Sequence, residues 1–264
     1  MKIGFIGCGN MATAMLKGIL KSGEVEASDM IASAKSDKTR EKIEKELGIR
    51  KADNNAQVVD FADVVFLAVK PQFLEGVLDE IRGSVKAGQI FISIAPGKTL
   101  QWLGERLGEN TKVIRTMPNT PAMVGEGMTA LCVNELITEE ETALAVKLCD
   151  TFGKTEVIPE HLMDAVVGIS GSSPAYVFMF LEAMADAAVA DGMPRAQAYK
   201  FVAQSVLGSA KLMQETGKHP GELKDMVCSP AGTTIQAVRV LEEKGFRSAV
   251  IEAQTECVKK AKGM

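Results

Sequence analysis

The sequence predicts two architectures in succession, an α/β half carrying a mostly parallel sheet and then an all-α half. Three observations predict them. Short apolar runs alternate with helical spacing as far as about Pro159, the first run leads straight into a glycine-rich turn, and no strand pattern follows Pro159. Strands alternating with helices indicate βαβ units. With 264 residues the chain can fill two ordinary domains, and the expected division is 1–159 and 160–264.

The first half reads in order. Lys2–Ile6 is a strand, Asn10–Lys21 a helix, Met30–Ser33 a strand, and Lys38–Leu47 a charged helix closed by Gly48. VVFLAV (64–69) is apolar throughout, as a strand buried on both faces should be. Phe73–Arg82 and Leu100–Leu107 have helical spacing, with Gln89–Ile94 and Lys112–Thr116 as the strands between and after them. Met128–Val133 and Thr155–Ile158 are further strands, separated by the helical stretch Glu139–Phe152. In the second half Ser173-Pro174 reads as a helix start, with serine at the N-cap, and Gly192 as its end. Helices then follow from Pro194 to Gly217, from the Thr233–Thr234 region to Gly245, and over Arg247–Lys260. PAYVFMFLEAMADAAVA (174–190) is apolar almost all round, which predicts burial on every side and hence packing against a second copy of the chain.

Composition narrows the function. A hydrophobic share of 46% and a charged share of 24% describe a globular chain. The net charge of −4 argues against nucleic-acid and anionic-membrane partners. No continuous apolar run approaches the ~18 residues that span a bilayer, and MKIGFIGCGN has a glycine turn where a signal peptide needs an apolar stretch, so a cytoplasmic location is expected. The five cysteines (Cys8, Cys132, Cys149, Cys228, Cys257) form no CxxC, and neither histidine stands at ligand spacing to them. Inert thiols and no metal site are expected.

Gly7-Cys8-Gly9-Asn10-Met11-Ala12 fits GxGxxA directly after the first strand and at the start of a helix. Gly7 permits the tight turn, Gly9 lets a pyrophosphate approach the backbone, and Ala12 lets the helix sit close to the sheet, as in a Rossmann domain. The helix N-terminus then offers unpaired N–H groups to the phosphates. The second strand runs into Ser33-Ala34-Lys35-Ser36 without the acid that would hold the ribose hydroxyls of NAD, and Asp29 precedes that strand. Hydroxyls and a lysine accept a 2′-phosphate, so NADPH is favoured, with NADH as the alternative; as ordinary loop residues Ser33 and Lys35 would carry no such meaning. Ala68-Val69-Lys70-Pro71 and Ile94-Ala95-Pro96-Gly97 follow two further strands, where ligands bind in open α/β sheets, although Pro71 can simply start a helix.

Taken together, FIGCGNMA (5–12), FLAVKPQ (66–72), RTMPNTPAMVGEG (115–127), GISGSSPAY (168–176) and HPGELKDMVCSPAGTTIQAVRVLEEKGFR (219–247) resemble pyrroline-5-carboxylate reductases over essentially the full length. The last segment is the family's signature; GxGxxA alone separates nothing. The resemblance implies NAD(P)H-dependent reduction of the C=N bond of 1-pyrroline-5-carboxylate to L-proline, the last step of proline biosynthesis. It implies a Rossmann domain followed by a helical domain like the C-terminal part of 6-phosphogluconate dehydrogenase, forming homodimers that often assemble into decamers. Cofactor contacts are implied at Ile6, Gly7, Cys8, Gly9, Asn10, Met11, Ser33, Asn55, Ala68, Val69, Lys70, Pro71, Ala95, Pro96 and Gly97. Ala34 stands where relatives place a second serine.

The substrate's carboxylate needs an anion site. Pro230 and Gly232 shape a turn that exposes N–H groups, and the following helix adds its positive end, so Ser229, Gly232, Thr233 and Thr234 are the substrate candidates. Thr234 is placed nearest the substrate by the resemblance, its hydroxyl orienting the ring nitrogen. The structural alternative is that Thr233 or Thr234 merely caps the helix. Ser172, in Gly171-Ser172-Ser173-Pro174, either lines the pocket or belongs to a cap, and Asn119 and Thr120 either lie near the nicotinamide or form a turn. A 6-phosphogluconate or β-hydroxyacid dehydrogenase would carry a lysine on the helix 174–190, which has none. A non-catalytic NADPH-binding regulator would have no use for the substrate loop.

Overall fold

A computed structural model of the chain describes residues 1–263, apart from the side chain of Lys42. Two compact units form, one of Met1–Ser172 joined by the C-terminal residues from Val258 onward, the other Ser173–Cys257. The first holds strands β1 (Ile3–Ile6), β2 (Met30–Ser33), β3 (Arg50–Lys51), β4 (Val64–Leu67), β5 (Ile90–Ser93), β6 (Lys112–Met117), β7 (Gly127–Val133) and β8 (Gly153–Val157). Between and after them run α1 (Asn10–Ser22), α2 (Asp37–Leu47), α3 (Asn55–Phe61), α4 (Pro71–Ile81), α5 (Leu100–Leu107), α6 (Glu139–Asp150) and α7 (Met163–Val166).

The strands form one sheet in the order β3-β2-β1-β4-β5-β6-β7-β8, parallel except where β7 runs antiparallel to β6. The chain turns back across the sheet between β1 and β4, paired Ile3 to Val64 through Ile6 to Leu67, which is the position where this topology opens a ligand crevice. Strand residues alternate between two cores, as a period of two requires. Ile3, Phe5, Phe66, Ile90 and Ile92 face one core with Met15, Leu16 and Ile19 of α1. Ile6, Ile31, Val65, Leu67 and Phe91 face the other with Leu74 and Leu78 of α4. Phe5 and Phe66 stack across the β1–β4 pair with centroids 4.5 Å apart. Strands β1, β2, β4 and β5 are buried on both faces, which explains their near-continuous apolar sequences.

The second unit contains α8 (Ser173–Ala190), α9 (Arg195–Thr216), α10 (Pro220–Val227), α11 (Thr233–Glu243) and most of α12 (Phe246–Ala261). Its described core is small, with Ala185, Ala198 and Val202 buried between α8 and α9. Phe178 and Met179 of α8, Phe201 of α9 and Ile251 of α12 stay exposed on the single chain.

Two sequence expectations need correction. Ser173 does not cap a helix: the backbone is already helical from Glu160 and passes through a π-helical stretch at Val167–Ser172 into α8. Pro174 lacks the amide that a regular ladder uses, and the π turn before it has already displaced that ladder. The resulting run Glu160–Ala190 is long and apolar enough to cross a membrane by length and composition, contrary to the reading that no stretch approaches that limit. The core helix of a soluble protein can pass the same test.

Candidate functional site

Three neighbouring strand ends build the first part of the site. The β1–α1 turn carries Gly7 at φ +94° and Gly9 as the N-cap of α1. A Cβ on Gly7 would stand 2.8 Å from the Ala68 carbonyl oxygen and 2.9 Å from Val69 Cγ1, so the β1 and β4 turns touch through a residue with no side chain. A Cβ on Gly9 would meet nothing within 4 Å, which makes the mouth of α1 an open cradle. No side chain caps that helix and no acid occupies its first turn, leaving its amides and dipole available to an anion. The β4–α4 turn holds Ala68 to Pro71, with exposed Lys70 as N-cap and Pro71 opening the helix. The β5–α5 turn holds Ala95, Pro96 and Gly97, the last at φ +73°.

Beside these turns lies a cleft of about 460 Å³ lined by Gly7, Ser33, Lys35, Asn55 and Val69 among the anticipated residues, together with Arg40, Phe73 and Glu80. Ser33 ends β2 and donates to Asn55 Oδ1 at 2.6 Å, while Asn55 Nδ2 donates to Glu80 Oε2 at 2.7 Å. Lys35 Nζ lies 5.2 Å from the centre of the Phe73 ring. The sequence pattern alone passes over Arg40, Phe73 and Glu80, which come from the interior of α2 and α4; the helical spacing that puts Phe73, Val77 and Glu80 on one face was the available clue. The open cradle at Gly9, the switch-point position and the two cations of the cleft, Lys35 and Arg40, fit a dinucleotide with a 2′-phosphate.

Some anticipated residues lie elsewhere than in the cleft lining. The Ile6 side chain is sealed in the core, and its carbonyl accepts from Ala68 N at 2.8 Å. Cys8 is buried beside Thr13, Met11 packs on the core, and Asn10 is exposed at the start of α1. The buried Cys132 thiol is pushed up to about 12, first by burial and then by the Glu160 charge, with Arg115 opposing, so it is a packing residue rather than a nucleophile. Asn119 donates to Ser170 at 3.3 Å (O) and 3.2 Å (Oγ) and accepts from Met128 N at 2.8 Å; its polar atoms tie a turn together.

The candidate substrate residues divide between the units. Ser172 ends the first unit at the close of the π-helical stretch. In the second, Gly232 N donates to Ser229 O at 3.1 Å and closes a turn over Pro230 and Ala231, with Ala231 at φ +57°. A positive φ on a residue with a β-carbon is strained by roughly 1–2 kcal/mol. A Cβ on Gly232 would lie 2.3 Å from Ser229 Oγ, so only glycine closes this turn without a shift. Gly232, not a threonine, is the N-cap of α11, and Thr233 and Thr234 are its first two residues. The capping alternative is therefore corrected, because the N-cap is a glycine and no side chain caps the helix.

Residues 160–264 match the family model described as pyrroline-5-carboxylate reductase dimerisation, and residues 2–97 match that of NADP oxidoreductase, coenzyme F420-dependent. The chain is 55% identical over 260 residues to a pyrroline-5-carboxylate reductase of Escherichia coli, covering 98% of this chain and 97% of the relative. It superposes on a pyrroline-5-carboxylate reductase from Coxiella burnetii with TM-score 0.93 and 33% identity over 99% of this chain and 97% of that one. A Plasmodium falciparum pyrroline carboxylate reductase with NADP bound gives TM-score 0.89 and 29% identity, covering 100% and 97% of the two chains. With its nucleotide cradle, its closed serine–glycine turn and a match to such a relative along nearly its whole length, the chain belongs to the pyrroline-5-carboxylate reductase family.

Proposed function

We propose that the chain reduces the C=N bond of 1-pyrroline-5-carboxylate to give L-proline, with NADPH as the reductant and NADH as a weaker alternative. The observation that carries this reading is the 55% identity to the Escherichia coli enzyme across 98% of the chain. On this reading residues 1–159 bind the dinucleotide, while residues 160–264 carry dimerisation and the substrate loop. The bound dinucleotide supplies a hydride equivalent. Gly7, Gly9 and the first-turn amides of α1 hold its pyrophosphate; Ser33, Lys35 and Asn55 hold the adenosine end, and the 68–71 and 95–97 turns bound the remainder. Ile6 and Ala95 contribute main chain only, since both side chains are buried.

The Ser229–Thr234 loop binds the substrate carboxylate. Its turn and the N-terminus of α11 present N–H groups that favour an anion by ~0.3–1 kcal/mol through the dipole alone. Thr234 orients the ring nitrogen through its hydroxyl, and Ser229 and Thr233 supply further polar contacts; Ser172 is a further candidate, from the same or the partner subunit. A threonine is a poor acid, so its contribution is orientation, the source of most of the rate here. The test is a spectrophotometric assay of reduced nicotinamide with pyrroline-5-carboxylate, with proline as the measured product. Absence of proline with either nucleotide rejects the activity. Thr234→Ala is expected to lower kcat/KM by on the order of 10² while leaving NADPH affinity unchanged; full activity in the variant removes Thr234 from the mechanism and leaves the activity standing.

The exposed apolar residues of α8, α9 and α12 support a homodimer, and a pentamer of dimers is the further assembly we infer. Sedimentation is expected to give a species of at least two chains at micromolar concentration, and a monomer contradicts the reading. The site of action is the cytoplasm; recovery with the membrane fraction contradicts it.

A further inference from the structure

Three side chains of the cleft are wired in a single direction. The Glu80 carboxylate only accepts hydrogen bonds, and it takes Asn55 Nδ2 at 2.7 Å and Asn55 N at 3.4 Å. That fixes the amide: Asn55 Oδ1 is the atom left to face Ser33. A carbonyl oxygen also only accepts, so the Ser33 hydroxyl, 2.6 Å away, donates to it. A serine has one hydroxyl proton. With that proton committed to Asn55, Ser33 offers the cleft its lone pairs.

The two nicotinamide dinucleotides differ at the point such a group would read. A ribose 2′-hydroxyl can donate to the Ser33 oxygen. A 2′-phosphate carries only acceptors when fully ionised and meets lone pairs with lone pairs. Lys35 and Arg40 line the same cleft and pull the other way, although Arg40 is also paired with Asp37. We propose that Glu80 is a positioning residue for cofactor choice: acting through Asn55, it holds Ser33 as an acceptor and so tempers the preference of the cleft for the 2′-phosphorylated nucleotide. The inference rests on reading this cleft as the adenosine end of the dinucleotide site. Glu80 itself touches neither the reacting atoms nor the imine.

Glu80→Gln removes the constraint. A neutral amide both donates and accepts, which leaves Asn55 free to turn over and Ser33 free to donate outward. Calorimetric titration of the purified protein with NADP⁺ and with NAD⁺ reads the effect without turnover. The ratio of the NAD⁺ Kd to the NADP⁺ Kd is expected to rise about tenfold in Glu80→Gln, the scale of one charge-assisted hydrogen bond. Asp79→Asn removes an equal charge from the neighbouring residue, which does not line the cleft, and should leave the ratio unchanged. In a Ser33→Ala background the Glu80→Gln shift should vanish. An unchanged ratio, an equal weakening of both nucleotides, the same shift in Asp79→Asn, or a shift that persists without the Ser33 hydroxyl each overturns the proposal. The titration uses no imine, so its failure leaves the reductase reading intact, and failure of the imine assay leaves the titration interpretable.

Discussion

Gly7→Ala is expected to weaken NADPH binding by at least about 100-fold and to lower stability by about 3 kcal/mol, the sum of backbone strain and overpacking. The new Cβ would stand at φ +94° and within 2.8–2.9 Å of the Ala68 carbonyl and Val69 Cγ1. Two of its nearest atoms belong to the backbone of the β4–α4 turn, which cannot rotate away. That turn is itself a proposed cofactor contact, so displacement on the scale of 1 Å propagates to binding. Gly9→Ala provides the contrast. Its Cβ meets nothing and its backbone is extended, so stability should stay within about 0.5 kcal/mol while affinity falls about tenfold or more. Nucleotide titration beside thermal denaturation checks the pair. Wild-type affinity in Gly7→Ala, or parallel losses of affinity and stability in Gly9→Ala, contradicts this account of the cradle.

Glu160→Ala is expected to destabilise the first unit by about 3–5 kcal/mol, because it strands a buried cation. Arg115, in β6, is 4% exposed, and its Nη1 donates to Glu160 Oε1 at 3.0 Å. The same oxygen accepts from Leu100 N at 2.7 Å and so also satisfies the first amide of α5. Arg115 Nε already lacks a partner, which leaves the guanidinium little else to fall back on. Chemical denaturation should show a lower midpoint for Glu160→Ala and roughly half that loss for Glu160→Gln, which keeps the accepting oxygen. Adding Arg115→Met to Glu160→Ala should recover most of the loss, as replacing a buried pair by apolar groups often does. Failure to recover would instead assign the loss to the Leu100 amide.

The central strands could be read from the sequence because both of their faces are buried, while exposed two-residue β3 could not. Runs such as VVFLAV then leave no ambiguity of face, and Met30–Ser33 and Leu100–Leu107 have the anticipated limits. Short elements left no periodicity to read. Asn55–Phe61 makes fewer than two turns, and its sign was Asn54, whose side chain accepts from Gln57 N as an N-cap. Pro220–Val227 was similarly marked only by a proline at its first position. At Gly171–Pro174 the small residues suggested a turn before a helix start, yet the chain is already helical there. Local propensity is a weak prior at such a place. Within the site, glycine and serine positions were legible because turn geometry demands them. Arg115–Glu160 and Glu80–Asn55 were not, since each joins residues far apart in sequence whose proximity only the sheet order creates.

The left-handed Ala231 has a consequence for ligand entropy. A glycine at that position would relieve the strain, but it would also let the turn between Ser229 and Gly232 sample many conformations. The β-carbon restricts that ensemble before any ligand arrives, so less disorder has to be removed when a small anion settles on the N–H groups. In the proposed role of this loop as a carboxylate site, backbone strain thus becomes preorganisation.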